Sequence, residues 1–120
     1  MKFTLVSAGD GPTCVTCSGE ITQFKFKPNV DPLTELLGDN SYNRRVLLDL
    51  EKTEYIDSSG IGWLLATHRR FLQAGGELIL HSLPPMVHQV VQLMRLDRVL
   101  NIQRDLTFAK VSASQQEKQP

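Results

Sequence analysis

From residue 46 onward, short apolar runs typical of strands alternate with the wider apolar spacing of amphipathic helices. The run VLLDL at residues 46–50 has the length and composition of a strand that is covered on both faces. The later elements follow in this order: a helix from residue 57 to a Gly-Gly pair at 75–76, a strand at 77–81, a helix from Pro84-Pro85, and a strand at 99–102. This order is typical of α/β folds with right-handed crossovers. The sequence therefore predicts a mostly parallel central sheet of four to five strands, with amphipathic helices packed against it.

Two apolar stripes are expected to hold the helices against the sheet. The residues of each stripe recur at the three- and four-residue spacing of one helix face. The first stripe contains Ile61, Leu64, Leu65, His68, Phe71 and Leu72, and the second contains Met86, Val87, Val90, Val91 and Met94. We expect the apolar members of both stripes to be core residues, and His68 to be partly buried.

The first part of the chain has weaker signals. Residues 3–6 and 13–18 alternate apolar and polar side chains on either side of a Gly-rich turn, which predicts two strands. Residues 23–43 are interrupted by proline and glycine, and we expect there a loop and one short helix that starts near Asp31 with Pro32 at its first position. A single domain is predicted over residues 1–110. The small polar residues at 111–120 predict a disordered tail.

The charge balance excludes several classes of partner. Thirteen Lys and Arg residues face thirteen Asp and Glu residues, so the formal net charge is zero with histidine neutral. Nucleic-acid binders and proteins of anionic membrane surfaces rely on a basic surplus, and no apolar run has the roughly 18 residues of a membrane span. The start of the chain lacks the apolar core of a signal peptide. We expect a cytoplasmic protein with no nucleic-acid partner, no membrane span, no cofactor and no small-molecule substrate.

Cys14 and Cys17 have the Cys-x-x-Cys spacing of redox and zinc sites. Their flanking residues predict a strand, on which residues three apart point to opposite faces. Two thiols on opposite faces neither chelate one ion nor pair easily. We therefore favour ordinary core or surface cysteines and keep a metal or redox role as the minor alternative.

The segment Asp57-Ser58-Ser59-Gly60 lies where a predicted interior strand passes into a helix. The amide groups in the first turn of a helix lack intrahelical partners and carry the positive end of the helix dipole, so they stabilise an anion. Asp57 or Ser58 is a good N-cap residue. Gly60 and Gly62 have no side chains, which lets a phosphate or another protein approach the backbone closely. A simple capped helix start is the structural alternative.

The sequence around this turn resembles the STAS domain of bacterial anti-sigma factor antagonists. The resemblance extends from about residue 45 to 102 and rests on VLLDL at 46–50, YIDSSGIG at 55–62 and QAGGEL at 73–78, with a weaker match of SGEI at 18–21. Its most specific part is DSSGIG at 57–62, in its position between a strand and a helix.

The resemblance implies a binding protein that phosphorylation switches. In that family the first serine after the aspartate is phosphorylated by a partner that is both anti-sigma factor and serine kinase, and a protein phosphatase reverses the modification. Ser58 occupies this position. The unphosphorylated form would bind the kinase and so release a sigma factor to activate transcription. The residues expected to shape the docking surface are Asp57, Ser59, Gly60, Ile61 and Gly62.

Two further residues are candidates for partner binding. Thr22 stands where the family has an aspartate after Gly-Glu-Leu, in a loop expected beside the phosphorylation turn. Trp63 lies off the apolar stripe and close to Ser58, and tryptophan is enriched at binding hot spots.

Other functional classes find less support in the sequence. An enzyme with a nucleophilic serine would show a Gly-x-Ser-x-Gly elbow or a His and an acid close to the serines, and neither is present. The Gly-x-x-x-x-Gly-Lys-Ser/Thr pattern of nucleotide binders is also absent. The stronger competitor is a STAS-like adaptor that does not switch, in a signalling scaffold or a lipid-transport complex.

Overall fold

A computed structural model describes residues 2–7, 11–22, 32–38 and 42–118 of the chain. The elements in chain order are β1 (Lys2–Ser7), β2 (Thr13–Ile21), α1 (Pro32–Leu37), β3 (Arg45–Ile56), α2 (Ser58–Ala74), β4 (Glu77–His81), α3 (Pro85–Leu93), a 3-10 helix (Leu96–Arg98), β5 (Asn101–Gln103) and α4 (Leu106–Lys118). The short helix α1 begins at Pro32, as predicted, and Asp31 lies outside the described residues.

The strands form one sheet in the order β1-β2-β3-β4-β5. β1 is antiparallel to β2, and every other neighbouring pair is parallel. This arrangement confirms the predicted α/β fold with a mostly parallel sheet. β4 pairs with β3 only over residues 45–49 of β3, whereas β2 pairs with β3 as far as Ile56. The turn at Asp57 therefore lies at the carboxyl end of the sheet, beside the end of β2.

The apolar run of β3 supplies both faces of the sheet. Val46, Leu48 and Leu50 point into the main core, which the helices α1, α2 and α3 cover. Leu47 points to the opposite face, where it packs with Ile79 of β4 under α4. The run is almost continuously apolar because both of its faces are buried, as the sequence predicted.

The predicted disordered tail is wrong for residues 111–118, which continue helix α4. Ala109 and Ala113 are fully buried against Leu47 and Ile79, and their four-residue spacing places them on one face of the helix. The side chain of Asn101 also donates a hydrogen bond of 3.1 Å to the Ser112 hydroxyl. Small side chains give a weak hydrophobic signal, yet they let the helix approach the sheet closely.

Both cysteines of the Cys-x-x-Cys pair are free and lie on opposite faces of the sheet, as the strand geometry predicted. Cys17 is buried in the main core, and Cys14 packs against the cluster under α4. Burial raises the pKa of the Cys17 thiol to about 11. Among the described residues, no three His, Cys, Asp or Glu side chains are grouped to hold a metal ion, and no helix has the length and apolarity to cross a membrane.

The region after α3 differs from the predicted strand at 99–102. Arg95 adopts a left-handed conformation with φ 57°, and the chain then turns through the 3-10 helix before β5 begins at Asn101. The amide of Leu100 donates a hydrogen bond of 2.8 Å to the carbonyl of Leu96, and both side chains are buried in the main core. Residues 99–100 therefore close this turn and are not part of the sheet.

Both apolar stripes are only partly buried. Leu64, Phe71, Val87 and Val91 are core residues as predicted, and His68 is half-buried. The prediction is wrong for three others, which are exposed to solvent: Leu72, Met86 and Met94. These three side chains lie beside the buried residues of their helices. The predicted stripe is wider than the part of each helix that contacts the sheet.

Candidate functional site

Asp57 caps helix α2 from an extended conformation, with φ −116° and ψ −175°. Its Oδ1 accepts a hydrogen bond of 3.0 Å from the amide of Gly60 and one of 2.5 Å from the hydroxyl of Ser59. The hydrogen bond from Ser59, followed by that from Gly60, holds the pKa of the Asp57 carboxyl below its usual value. The cap is therefore a charged carboxylate near neutral pH, at the positive end of the helix dipole.

The two serines of the turn have different environments. Ser59 is half-buried, and its hydroxyl is bound to Asp57. Ser58 is the first residue of α2, and it is exposed. Of these two hydroxyl-bearing residues, Ser58 is the one that stands open to solvent.

Gly60 explains why the turn lies close to β2. A Cβ atom at Gly60 would overlap the carbonyl oxygen of Ile21, the last residue of β2. The amide of Asp57 donates a long hydrogen bond of 3.5 Å to that same oxygen. A Cβ atom at Gly62, in contrast, would meet nothing within 4 Å. Gly60 therefore allows α2 to lie close to β2 inside the protein, whereas Gly62 leaves space at the outer surface of α2.

Three of the predicted docking residues are buried and offer almost no surface. Gly60 is buried against the end of β2, Ile61 is a core residue, and Thr22 is 5% exposed. Their burial contradicts the expectation that these three residues shape an outer surface: Gly60 instead permits the close approach to β2, and Ile61 packs in the main core. The structure brings them together beside Asp57 because Ile21 and Ile56 are register partners at the ends of β2 and β3.

Trp63 is half-buried and packs against β1. Its ring centroid lies 5.5 Å from that of Phe3, with the planes inclined by 39°. Part of the indole packs against the edge of the main core. The rest of it is exposed to solvent near the first turn of α2.

Exposed residues that the sequence reasoning did not select surround the turn. Glu20 at the end of β2 and Tyr55 near the end of β3 are exposed register partners, and Glu54 is exposed beside Tyr55. Their proximity to Ser58 follows from the parallel pairing of β2 with β3. Two of them fall in segments that resemble the family: Glu20 lies in the weak match at residues 18–21, and Tyr55 begins the match at residues 55–62.

Within the part of the chain that the structure describes, neither His68 nor His81 is placed to serve as a base for the serine hydroxyls of the turn. His68 is ten residues beyond Ser58 on α2, a rise of about 15 Å along the helix axis. His81 lies next to Asp49 in the sheet register and is bound through Nδ1 to the Ser82 hydroxyl at 2.9 Å. The site consists instead of an exposed hydroxyl on a rigid, anion-stabilising helix start.

The chain is similar to proteins of one known family. The STAS domain family profile matches residues 6–109. The chain is 26% identical over 96 residues to the anti-sigma F factor antagonist of Paenibacillus polymyxa, covering 77% of this chain and 78% of that protein.

Two solved structures have a similar fold. The crystal structure of an anti-sigma factor antagonist from Mycobacterium paratuberculosis has a TM-score of 0.74 and 21% identity, covering 94% of this chain and 95% of that one. The anti-sigma factor antagonist SpoIIAA in its unphosphorylated form has a TM-score of 0.52 and 19% identity, covering 82% of this chain and 97% of that one. The family match covers residues 6–109, which is most of the chain. The chain is a member of the STAS domain family.

Proposed function

We propose that this protein is an anti-sigma factor antagonist that is switched by phosphorylation of Ser58. In its unphosphorylated form it binds an anti-sigma factor that is also a serine kinase, and this binding releases a sigma factor. A protein phosphatase restores the binding form. The observation that carries the proposal is the exposed Ser58 hydroxyl, at the first position of α2, next to a Ser59 hydroxyl that Asp57 holds.

The local electrostatics indicate that phosphorylation of Ser58 would change partner binding and not the stability of the fold. A phosphate on Ser58 adds about −1.5 to −2 charges beside amides that stabilise anions. The cap is formed by Asp57, so modification of Ser58 leaves the hydrogen bond between the Asp57 carboxylate and the Gly60 amide in place. A partner that covers Ser58 would meet a bulky charged group, and acidic groups of that partner would be repelled.

The docking surface that we propose is smaller than the sequence predicted. It contains the exposed Ser58 and Gly62 and the half-buried edges of Asp57, Ser59 and Trp63. The buried Thr22, Gly60 and Ile61 position this surface from below. In this proposal the protein acts by binding and not by catalysis.

The test is incubation of the full chain with each candidate anti-sigma kinase and ATP, followed by intact-mass measurement. We expect one added phosphate on the wild type and on Ser59→Ala, and none on Ser58→Ala. Treatment with a serine phosphatase should remove the phosphate and restore kinase binding. Stable binding of the partner with no phosphate added, or phosphate retained by Ser58→Ala, would reject the switch and favour a STAS adaptor that does not switch.

A further inference from the structure

An apolar surface lies on the helices α2 and α3, away from the phosphorylation turn. Leu72 is 60% exposed near the end of α2, and Leu93 and Met94 are 82% and 51% exposed at the end of α3. Met86 is also exposed at the start of α3. Side chains of this size stay in water at a cost unless another surface covers them.

The contacts of α2 show which way each flank of this helix points. Trp63 and Arg70 precede the buried Leu64 and Phe71 by one residue. Trp63 packs on Phe3 of β1, and the Arg70 guanidinium lies 5.8 Å from the ring centroid of Tyr42, just before β3. The contact of Trp63 with Phe3 therefore places the flank one residue before each buried position on the β1 side of the helix. Since each residue turns the helix by about 100°, Leu65 and Leu72 lie on the flank that faces away from β1.

Helix α3 presents the complementary flank. It follows the next parallel crossover on the same face of the sheet, so it runs in the same direction as α2, on the side away from β1. Met86 and Val90 precede the buried Val87 and Val91 by one residue, and this flank accordingly faces α2. Leu93 continues the same stripe at a spacing of seven residues from Met86. The α2–α3 groove is defined by these facing side chains: Leu65, Leu72, Met86, Val90, Leu93 and Met94.

The charge of this surface has one sign. The chain contains thirteen Asp and Glu residues, yet none lies in α2, in α3 or at residues 94–95. Arg69 is exposed between Leu65 and Leu72 on the outer side of α2, and Arg95 is exposed directly after Met94. The groove is therefore apolar along its length, and the Arg and Lys or Asp and Glu side chains of α2, α3 and residues 94–95 are all positive; the exposed Asp97 follows in the 3-10 helix.

We propose that the α2–α3 groove binds an amphipathic helical segment of a partner protein, in which Asp and Glu residues border the apolar stripe. A helix that binds in a groove contacts it through apolar side chains at positions i, i+3, i+4 and i+7. These side chains would pack between the two rows that α2 and α3 provide. Methionine adapts its shape to such anchors. Electrostatic complementarity to Arg69 and Arg95 sets the preference for an acidic segment.

The charge count favours a protein segment over a lipid surface. Clusters that bind anionic membranes carry about four to eight Lys or Arg residues, and each contributes about 1 kcal/mol. The two helices and residue 95 supply three arginines, and one of these, Arg70, is engaged with Tyr42. The apolar side chains also lie between two helices rather than on one protruding loop.

The test uses the full chain labelled with ¹³C at the methionine methyl groups. The probe is a synthetic helical peptide of about 16 residues, with Leu at the four anchor positions and Glu on both borders, and a matched peptide carries Lys at the border positions. We expect the Met86 and Met94 signals to shift with the Glu peptide and the Lys peptide to bind at least about tenfold more weakly. The titration requires no phosphorylation, so its outcome is independent of the proposed switch.

Variants locate the binding. Leu72→Ser and Leu93→Ser each remove an exposed side chain, so they should weaken the Glu peptide while leaving Tm unchanged. Leu106→Ser on α4, an exposed leucine on the opposite face of the sheet, is the matched control and should bind like the wild type. Arg69→Gln should reduce the preference for Glu over Lys.

Four results would overturn the proposal: no shift of either methionine, equal affinity for the two peptides, a self-association that Leu93→Ser abolishes, or binding to phosphatidylserine vesicles in place of the peptide. The third would assign the groove to a second copy of the chain, and the fourth would assign it to a membrane.

Discussion

The hydroxyl of Ser59 donates a short hydrogen bond to the carboxylate of Asp57, with Oγ and Oδ1 2.5 Å apart. This bond orients the carboxylate that also accepts from the Gly60 amide. It engages Ser59 and leaves Ser58 exposed. Two adjacent residues of the same type therefore have different availability, and the cap itself produces the difference.

Loss of the Asp57 carboxylate should destabilise the start of α2. We expect Asp57→Ala to lower Tm by a few degrees, because the amide of Gly60 loses its acceptor and Ser59 loses its partner. Glu54→Ala, an exposed carboxylate on β3, is the control and should leave Tm unchanged. Thermal unfolding followed by circular dichroism measures both. Equal Tm values for the two variants would show that the cap contributes nothing.

The two glycines of α2 should respond to alanine with opposite signs. Gly60→Ala forces a Cβ atom into the Ile21 carbonyl, so the free energy of unfolding should fall by about 1–3 kcal/mol. Gly62→Ala meets open space in a helix, where alanine is favoured by up to about 1 kcal/mol. Urea denaturation of both variants decides the point. A free energy of unfolding for Gly60→Ala equal to that of the wild type would contradict the close approach of α2 to β2.

His81 should make stability depend on pH. Burial lowers its pKa from the ordinary value of 6.5, although the carboxylates of Asp49, Asp105 and Glu51 oppose the shift. The unfolded chain therefore binds the proton more readily than the folded one does. Stability is fully present above pH 6.5 and is lost as the pH falls from there towards the folded pKa.

Urea midpoints measured from pH 8 to pH 5 test this prediction. His88→Gln, at an exposed position on α3, should retain the decline seen in the wild type. His81→Gln should flatten it, whatever its effect on absolute stability. A decline of the same size in His81→Gln would assign the pH dependence to other groups.

The thiol of Cys17 should be inert in the folded protein. Burial in the main core raises its pKa to about 11, and the thiolate is the reactive form. At pH 8 we expect iodoacetamide to modify Cys17 only after urea unfolding. Peptide mass mapping before and after denaturation measures this, with the half-buried Cys14 as the internal comparison. Rapid alkylation of Cys17 under native conditions would contradict its burial.

Local sequence signals were enough to predict the capped turn at residues 57–60, whereas the rest of the site depends on pairing between residues far apart in the chain. The cap at Asp57 and the strand at residues 46–50 are encoded in consecutive residues, and both were confirmed. The inward role of Gly60 depends on Ile21, a residue that only the register of β2 with β3 brings near. The burial of Ala109 likewise depends on a sheet face that no local pattern in residues 106–118 indicates.

A negative charge at Ser58 should separate partner binding from stability. Ser58→Asp places the charge at the amino end of α2, where the helix dipole accepts it, so we expect an unchanged or slightly raised Tm. Binding to the cognate anti-sigma factor should fall by at least about tenfold, because the charge lies on the proposed docking surface. Ser58→Ala should retain binding, since the cap belongs to Asp57.

The matched control places the same charge at the other end of the same helix. Gln73→Asp, at an exposed position in the last turn of α2, opposes the helix dipole and should lower Tm slightly while leaving partner binding intact. Calorimetric titration and thermal melts of the three variants measure both properties. A large drop in Tm for Ser58→Asp, or equal loss of binding in Gln73→Asp, would mean that charge acts through the fold of α2 and not at the docking surface.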